Sequence, residues 1–147
     1  LDGLPPVKMH CSLLAEQAAA QGARVILYQT WAYEEGSPML ERVGYAYEEM
    51  YRGLQEAYGA LAERTGAAVS PVGEAFFLAA QQGEGALYDE ADRYHPSARG
   101  SYLAACVHFV TVFDVPVTGN PCTGPLPAEE AAALQRVADV CTGQATG

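Results

Sequence analysis

Two residues in the second half of the chain have the types and the spacing that acid–base chemistry needs. Asp92 and His95 are three positions apart in a polar, turn-rich segment, residues 83–95. A turn can place both side chains on one side of a loop, where the carboxylate holds one imidazole nitrogen and leaves the other as a base. Such a pair can take a proton from a hydroxyl nucleophile and return it to a leaving alkoxide. We therefore predict that His95 is a general base and that Asp92 orients it.

The residues that follow this pair predict a fixed position for it. Pro96 disfavours helical angles at the preceding residue, so His95 is expected at the mouth of the helix predicted for residues 97–113. Gly100, in the first turn of that helix, would allow another part of the backbone to come close. The pair is thus predicted to lie where a loop meets a packed helix.

Upstream of the pair, the sequence alternates between helices and short strands. Apolar residues recur at helical spacing over residues 8–21 and 45–64. Each of these helices leads through a glycine turn into a short apolar run, residues 24–29 and 66–72, as is typical of a buried parallel strand. Residues 30–44 are predicted to form a loop at the C-terminal edge of the first strand, where open parallel sheets bind ligands.

This order of elements predicts an α/β fold, specifically a three-layer flavodoxin-like parallel sheet. A helix over residues 74–82 follows the second strand, residues 116–127 form a linker, and a terminal helix spans residues 128–142. We predict a single domain over residues 1–147. Two parallel strands are too few to form such a sheet alone, so the domain is expected to be incomplete at its N-terminus.

The charge of the chain excludes several classes of partner. The formal net charge is −10 over 147 residues, and Lys8 is the only lysine, so no basic stripe could neutralise a phosphate backbone or an anionic membrane surface. No uninterrupted apolar run approaches the roughly 20 residues of a membrane span. We expect a small-molecule partner, with neither nucleic acid nor membrane, and the sequence leaves the oligomeric state open.

The cysteines and the donors beside His95 do not predict a metal site. The four cysteines, which lack the C-x-x-C pairing of zinc sites, are Cys11, Cys106, Cys122 and Cys141. Cys122 and Cys141 bracket the last segment, and the sequence leaves open whether they form a disulfide. Asp92, His95 and Glu90 come from one loop, without a ligand from a second element. We predict no metal and no cofactor.

The segment from Asp92 to Ala105, DRYHPSARGSYLAA, resembles the closing block of the SGNH hydrolases, also known as GDSL-like hydrolases. In that family, D-x-x-H-P precedes a glycine-containing closing helix. Residues 25–33 are similar to a strand and active-site loop of one branch of the family, and residues 69–73 are similar to its next strand. The resemblance covers most of residues 8–113 in the family's order. It implies a serine ester hydrolase that acts on small acyl esters, acetylated carbohydrates among them.

The serine half of such a catalytic triad is not recognisable in the chain. The family carries its nucleophile in an N-terminal G-D/N-S block, with glycine and asparagine donors for the oxyanion in later blocks. The serines of this chain, none of which has a strand-to-helix G-x-S context, are Ser12, Ser37, Ser70, Ser97 and Ser101. The hypothesis that follows is a serine block upstream of Leu1, and a chain that is inactive by itself.

Three residues at the end of the first predicted strand are the candidate substrate-binding residues. Gln29, Thr30 and Trp31 could line an acyl or sugar pocket, with Trp31 as an apolar or stacking wall. Trp31 could equally cover the edge of the sheet. His10 and His108 lie in helical patterns, and we predict that each is a satisfied helix residue.

Two other functions fit the sequence. A non-catalytic carbohydrate-binding or interaction domain on a hydrolase scaffold would account for the missing serine and for the aromatic loop around Trp31. An inactive fragment would account for the missing strands.

Overall fold

Helices and two short strands make up the part of the chain that the computed structural model describes, which is residues 6–144, with side chains from residue 10 onward. In chain order the elements are α1 (Pro6–Ala20), β1 (Ile26–Tyr28), α2 (Pro38–Val43), α3 (Tyr47–Thr65), β2 (Ala68–Ser70), α4 (Val72–Gln81), α5 (Ala98–Phe113) and α6 (Ala128–Cys141). Leu1, upstream of which the serine block is predicted, lies outside the described residues.

The helices predicted from apolar spacing are all present, with small shifts at their ends, but the prediction of a loop over residues 30–44 is wrong in part. That segment contains α2, whose first turn is fixed by Ser37: its hydroxyl accepts a hydrogen bond from the backbone N–H of Leu40 at 3.2 Å. Pro38 stands at the first helical position, and Gly44 ends the helix in the left-handed conformation, with φ of 75°. Six residues are too few to show a helical period.

The two strands form a parallel pair, so the predicted α/β class is confirmed. Ile26 is aligned with Ala68, and Tyr28 with Ser70. The chain therefore leaves both strands at the same edge of the sheet. β1 is less buried than predicted, since Tyr28 is 39% exposed. Within residues 6–144, β1 has a neighbouring strand on one side only, which accounts for the difference.

The hydrophobic core lies where α4, α5 and α6 pack together. Its largest fully buried apolar side chains are Phe76, Leu103, Leu134, Val72, Val107 and Val137. Gly100, in the first turn of α5, is also buried, and a Cβ at this position would overlap the carbonyl oxygen of Leu87 and lie 2.9 Å from the Phe76 ring. The predicted close approach at Gly100 is confirmed, and it places the mouth of α5 directly against the segment that precedes the Asp92–His95 pair.

The connection between α5 and α6, predicted as a linker, is held by buried polar groups of α6. The carboxylate of Asp139 accepts hydrogen bonds from the backbone N–H groups of Val117 and Thr118, at 2.8 and 2.9 Å. The side chain of Gln135 accepts one from Gly119 at 3.0 Å. Both side chains are almost fully buried. Because each buried polar atom is satisfied in this way, α6 stays docked with its connection in one conformation.

Cys122 and Cys141, for which the sequence leaves a disulfide open, are both free thiols, as are Cys11 and Cys106. None of the helices in the described range combines the length and the hydropathy that crossing a bilayer requires.

Candidate active site

Asp92 and His95 lie in a narrow loop between α4 and α5. The two sides of this loop meet in an antiparallel bridge between Tyr88 and Pro96. We call residues 88–96 the histidine loop. Its second side leads straight into α5, whose N-cap is Ser97. The histidine loop is therefore fixed at one end by the packed helix, as the sequence predicts.

The structure brings the predicted pair into hydrogen-bond contact. One carboxylate oxygen of Asp92, Oδ2, lies 2.7 Å from Nδ1 of His95. The other, Oδ1, accepts hydrogen bonds from the backbone N–H groups of Tyr94, at 3.0 Å, and His95, at 2.9 Å. The same carboxylate thus holds both the backbone of the turn and the imidazole ring, which restricts the ring orientation.

These contacts also set the charge state of Asp92. The hydrogen bond from the His95 side chain, followed by those from the backbone N–H groups of His95 and Tyr94, lowers the pKa of Asp92 from 3.8 to about 2. An ionised carboxylate can only accept hydrogen bonds, so Nδ1 of His95 is the donor of this contact, and in the neutral ring Nε2 then keeps its lone pair. Nε2 is the nitrogen that could act as a base.

The imidazole is accessible to a reactant. The side chain of His95 is 60% exposed, against 35% for Asp92. The half-buried ring of Tyr94 lies beside it, with 4.0 Å between the ring centroids, and half-buried Tyr33 lies edge-on to Tyr94 at 5.5 Å. The base therefore stands at the surface next to an aromatic wall.

The predicted substrate-binding residues begin the segment that follows β1, which we call the β1 loop (residues 29–37). Gln29 is buried, and its Oε1 has no hydrogen-bond partner within residues 10–144. Thr30 is exposed. Neither has a hydrogen bond to the histidine loop among the described side chains. Trp31 does: its indole N–H donates to the carbonyl of Tyr94 at 2.9 Å, while its ring stacks on Phe76 at 4.6 Å.

Other contacts between the two loops involve residues that no sequence motif indicates. The hydroxyl of Tyr88 donates to the carbonyl of Ala32 at 2.8 Å. The guanidinium of Arg93 pairs with Glu34 and donates to carbonyls of the β1 loop. The partners are more than fifty residues apart in sequence, so no local pattern could have revealed them.

The described serines do not supply a nucleophile to His95. Ser97 is the nearest in sequence, and its hydroxyl donates to the carbonyl of Ala86 at 2.6 Å and accepts from the N–H of Gly100 at 3.2 Å, as a helix cap does. Ser70 is fully buried and lies 3.2 Å from Nδ1 of His108. This contact confirms the prediction that His108 is a satisfied helix residue.

A metal site is likewise not formed by the side chains that the structure describes. Over that part of the chain, no group of three or more histidine, cysteine or acidic side chains is arranged to hold an ion. Asp92 and His95 face each other instead of a shared central point, as their 2.7 Å separation shows.

Two solved structures are similar to this one. A DUF4886 family protein from Bacteroides uniformis superposes with a TM-score of 0.75 at 21% identity, over 92% of this chain and 56% of its own. A protein described as a candidate SGNH hydrolase from Slackia heliotrinireducens superposes with a TM-score of 0.62 at 32% identity, over 72% of this chain and 55% of its own.

This chain has an SGNH hydrolase-like fold. The resemblance seen in the D-x-x-H-P block is thereby confirmed at the level of the fold, and the second relative supports a hydrolase scaffold. The chain spans little more than half the length of either solved relative. No protein-family model matches the sequence. No curated protein matches it either.

Proposed function

We propose that this chain forms the acid–base half of a serine ester hydrolase of the SGNH type. The observation that carries the proposal is the geometry of one pair: Asp92 holds Nδ1 of His95 at 2.7 Å and leaves Nε2 on an exposed ring. This is the arrangement that an ester hydrolase needs for its base. The SGNH-like fold supports the same conclusion independently, since it comes from a backbone superposition over 72% of this chain.

In the proposed reaction, Nε2 of His95 takes the proton from a serine hydroxyl as the serine oxygen attacks the ester carbonyl. The imidazolium then gives that proton to the departing alkoxide, which leaves an acyl-serine. Water attacks the acyl group in the same way, and the serine recovers its proton through His95. Asp92 stays ionised throughout and stabilises the imidazolium. Such acid–base assistance contributes roughly a hundredfold to ten-thousandfold in rate.

The nucleophilic serine is proposed to come from a segment outside residues 6–144. In this proposal the complete domain is a three-layer flavodoxin-like sheet, in which further strands extend the pair formed by β1 and β2. The strand neighbour that β1 lacks within the described residues supports this. This polypeptide alone is then expected to have no esterase activity.

The proposed substrates are small acyl esters, with acetylated carbohydrates among them. The aromatic wall of Tyr33 and Tyr94 offers apolar faces against which a sugar ring or acyl group could stack. Acidic side chains of the two loops, Glu34, Glu35 and Glu90, together with the net charge of −10, favour neutral over anionic substrates. For the same reason we propose neither nucleic acid nor an anionic membrane as a partner.

The test is to express the chain with the segment that its coding sequence supplies upstream of Leu1, and to measure hydrolysis of p-nitrophenyl acetate and of an acetylated sugar. We expect activity that falls about a hundredfold to ten-thousandfold on His95→Ala. A matched control is His10→Ala, which removes an imidazole from α1 and should leave the rate unchanged. The proposal would be wrong if the longer chain lacked esterase activity, or if His95→Ala left that activity unchanged.

A non-catalytic carbohydrate-binding domain is the second candidate. It is favoured by the absence of a serine partner for His95 among the described side chains and by the half-buried aromatic wall beside it. It predicts saturable glycan binding that Trp31→Ala weakens and Asp92→Ala leaves unchanged. An inactive fragment predicts neither binding nor hydrolysis.

A further inference from the structure

Arg93 lies between Asp92 and His95 in the sequence and has an unusual backbone conformation. Its φ is 58°, in the left-handed region that residues with a Cβ rarely adopt. Its N–H closes a turn on the carbonyl of Asp89 at 2.8 Å, and its own carbonyl accepts from the N–H of Glu34 at 3.2 Å. A conformation of this kind persists only when the surrounding contacts determine it. The side chain supplies such contacts.

The guanidinium of Arg93 joins the histidine loop to the β1 loop. Its Nε pairs with the carboxylate of Glu34. Its Nη1 donates to the carbonyl of Gly36 at 2.9 Å, and its Nη2 to that of Glu35 at 2.8 Å. A planar group with donors in a fixed fork can satisfy three such oxygens at once, which the ammonium of lysine cannot do in the same geometry. We call these contacts the Arg93 bridge.

The Arg93 bridge fixes the guanidinium against the β1 loop. Three of its five N–H groups are engaged by oxygens of that loop, and none of these three contacts involves Asp92 or His95. Its position in the turn is nevertheless adjacent to both members of the pair. A change in its backbone angles would therefore move Asp92 relative to His95.

We propose that Arg93 is a positioning residue, whose bridge to the β1 loop holds the turn in the one conformation that places the Asp92 carboxylate on Nδ1 of His95. That this positioning serves catalysis rests on the proposed function. The effect of Arg93 on the contact between Asp92 and His95 does not. With the Arg93 bridge intact, His95 is held as the Nδ1–H tautomer with Nε2 free. Without it, the turn relaxes, and the imidazole returns toward the mixture of tautomers that an unheld ring adopts.

The experiment uses long-range ¹H–¹⁵N NMR spectra of the labelled chain at alkaline pH, where imidazoles are neutral and their nitrogen shifts report the tautomer. The His95 signals are assigned by their loss in His95→Ala. We expect mainly the Nδ1–H tautomer in the native chain, and a severalfold rise of the Nε2–H form in Arg93→Gln. The matched control is Arg52→Gln, which removes the same charge from an exposed i,i+4 pair on α3 and should leave the tautomer ratio unchanged.

Glu34→Gln is the second variant, because it keeps Arg93 and weakens only one contact of the bridge. It should shift the tautomer ratio in the same direction as Arg93→Gln, but by less. An unchanged ratio in folded Arg93→Gln would overturn the inference, and so would an unchanged ratio in Glu34→Gln if Arg93→Gln does not fold. The NMR spectra do not depend on turnover. A failed esterase test therefore does not affect the inference about Arg93, and an unchanged tautomer ratio does not affect the esterase proposal.

Discussion

The indole N–H of Trp31 donates a hydrogen bond to the carbonyl of Tyr94, the residue directly before His95, at 2.9 Å. The same indole stacks on Phe76 of the core, with a ring separation of 4.6 Å. A residue predicted from its place after β1 as a wall for substrate is therefore also a support for the loop that carries the base. Because the indole N–H already donates to Tyr94, only the ring of Trp31 is left to contact a ligand.

The hydrogen bond of Trp31 can be removed while its aromatic ring is kept. We expect Trp31→Phe to lower the free energy of unfolding by about 0.5–1.5 kcal/mol, because the Tyr94 carbonyl loses its donor while stacking on Phe76 persists. Urea denaturation followed by circular dichroism measures this. Tyr45→Phe, which removes a polar group from an exposed ring, should change stability by less than about 0.5 kcal/mol. Equal effects of the two substitutions would contradict the role given to this hydrogen bond.

Asp92 makes the stability of the histidine loop dependent on acid. Its pKa is about 2 in the folded chain against an ordinary value of 3.8. The stability that the ionised carboxylate contributes is therefore fully present above about pH 4 and is lost as the pH falls toward 2. ¹³C NMR of the carboxyl group measures the pKa directly. In His95→Ala we expect the pKa of Asp92 to rise but to stay below 3.8, because the largest cause is gone and the backbone hydrogen bonds remain. A pKa unmoved by His95→Ala would contradict the contact between the two side chains.

Much of this site follows from local chemistry that the sequence displays. The spacing of Asp92 and His95, the proline after them and Gly100 in the next helix together predict the pair, its place at the mouth of α5 and the close approach there. Each of these depends on residues within about two helical turns of one another. The α/β class is predictable for the same reason, since apolar spacing and glycine turns are local signals.

The contacts that hold the histidine loop could not be predicted in this way. Arg93 and Glu34 are 59 positions apart, and their pairing depends on the crossing of two loops that only the folded sheet brings together. The exposure of β1 also escaped prediction, because an apolar strand has the same sequence whether its neighbouring strand is present or not. The sequence does not predict the short helix α2, although Ser37 and Pro38 have the residue types of a helix start.

Gly100 and Gly53 offer a matched pair of helical glycines. A Cβ at Gly100 would overlap the Leu87 carbonyl, whereas a Cβ at Gly53 of α3 would meet nothing within 4 Å. We expect Gly100→Ala to destabilise the fold by about 1–3 kcal/mol through overpacking. Gly53→Ala should stabilise it by about 0.5–1 kcal/mol through helix propensity. Equilibrium unfolding in urea checks both, and the opposite sign for either substitution would refute the packing described for that helix.

The thiols differ in accessibility in a way that chemistry can measure. Burial raises the pKa of Cys106 to about 11 and that of Cys141 to about 12, while Cys122 is exposed. At pH 8 we expect a thiol reagent to modify Cys122 rapidly, and Cys106 and Cys141 only as the chain opens. Cys122→Ser should reduce the rapid phase by one thiol and leave at most the half-buried Cys11 in it. If Cys122 and Cys141 were bonded instead, the denatured chain would show two thiols fewer than its four cysteines.

The hydrogen bonds that the side chains of Asp139 and Gln135 accept from residues 117–119 affect where the chain tolerates cleavage or insertion. The amides of residues 117–119 can exchange their protons with solvent only when α6 releases them, so this stretch and the helix form one opening unit. The connection between α5 and α6 is rich in glycine and proline, but it is therefore a poor site for an inserted protease sequence or a fluorescent domain. The exposed turn at Gly22, where an added Cβ would meet nothing within 4 Å, is the better choice.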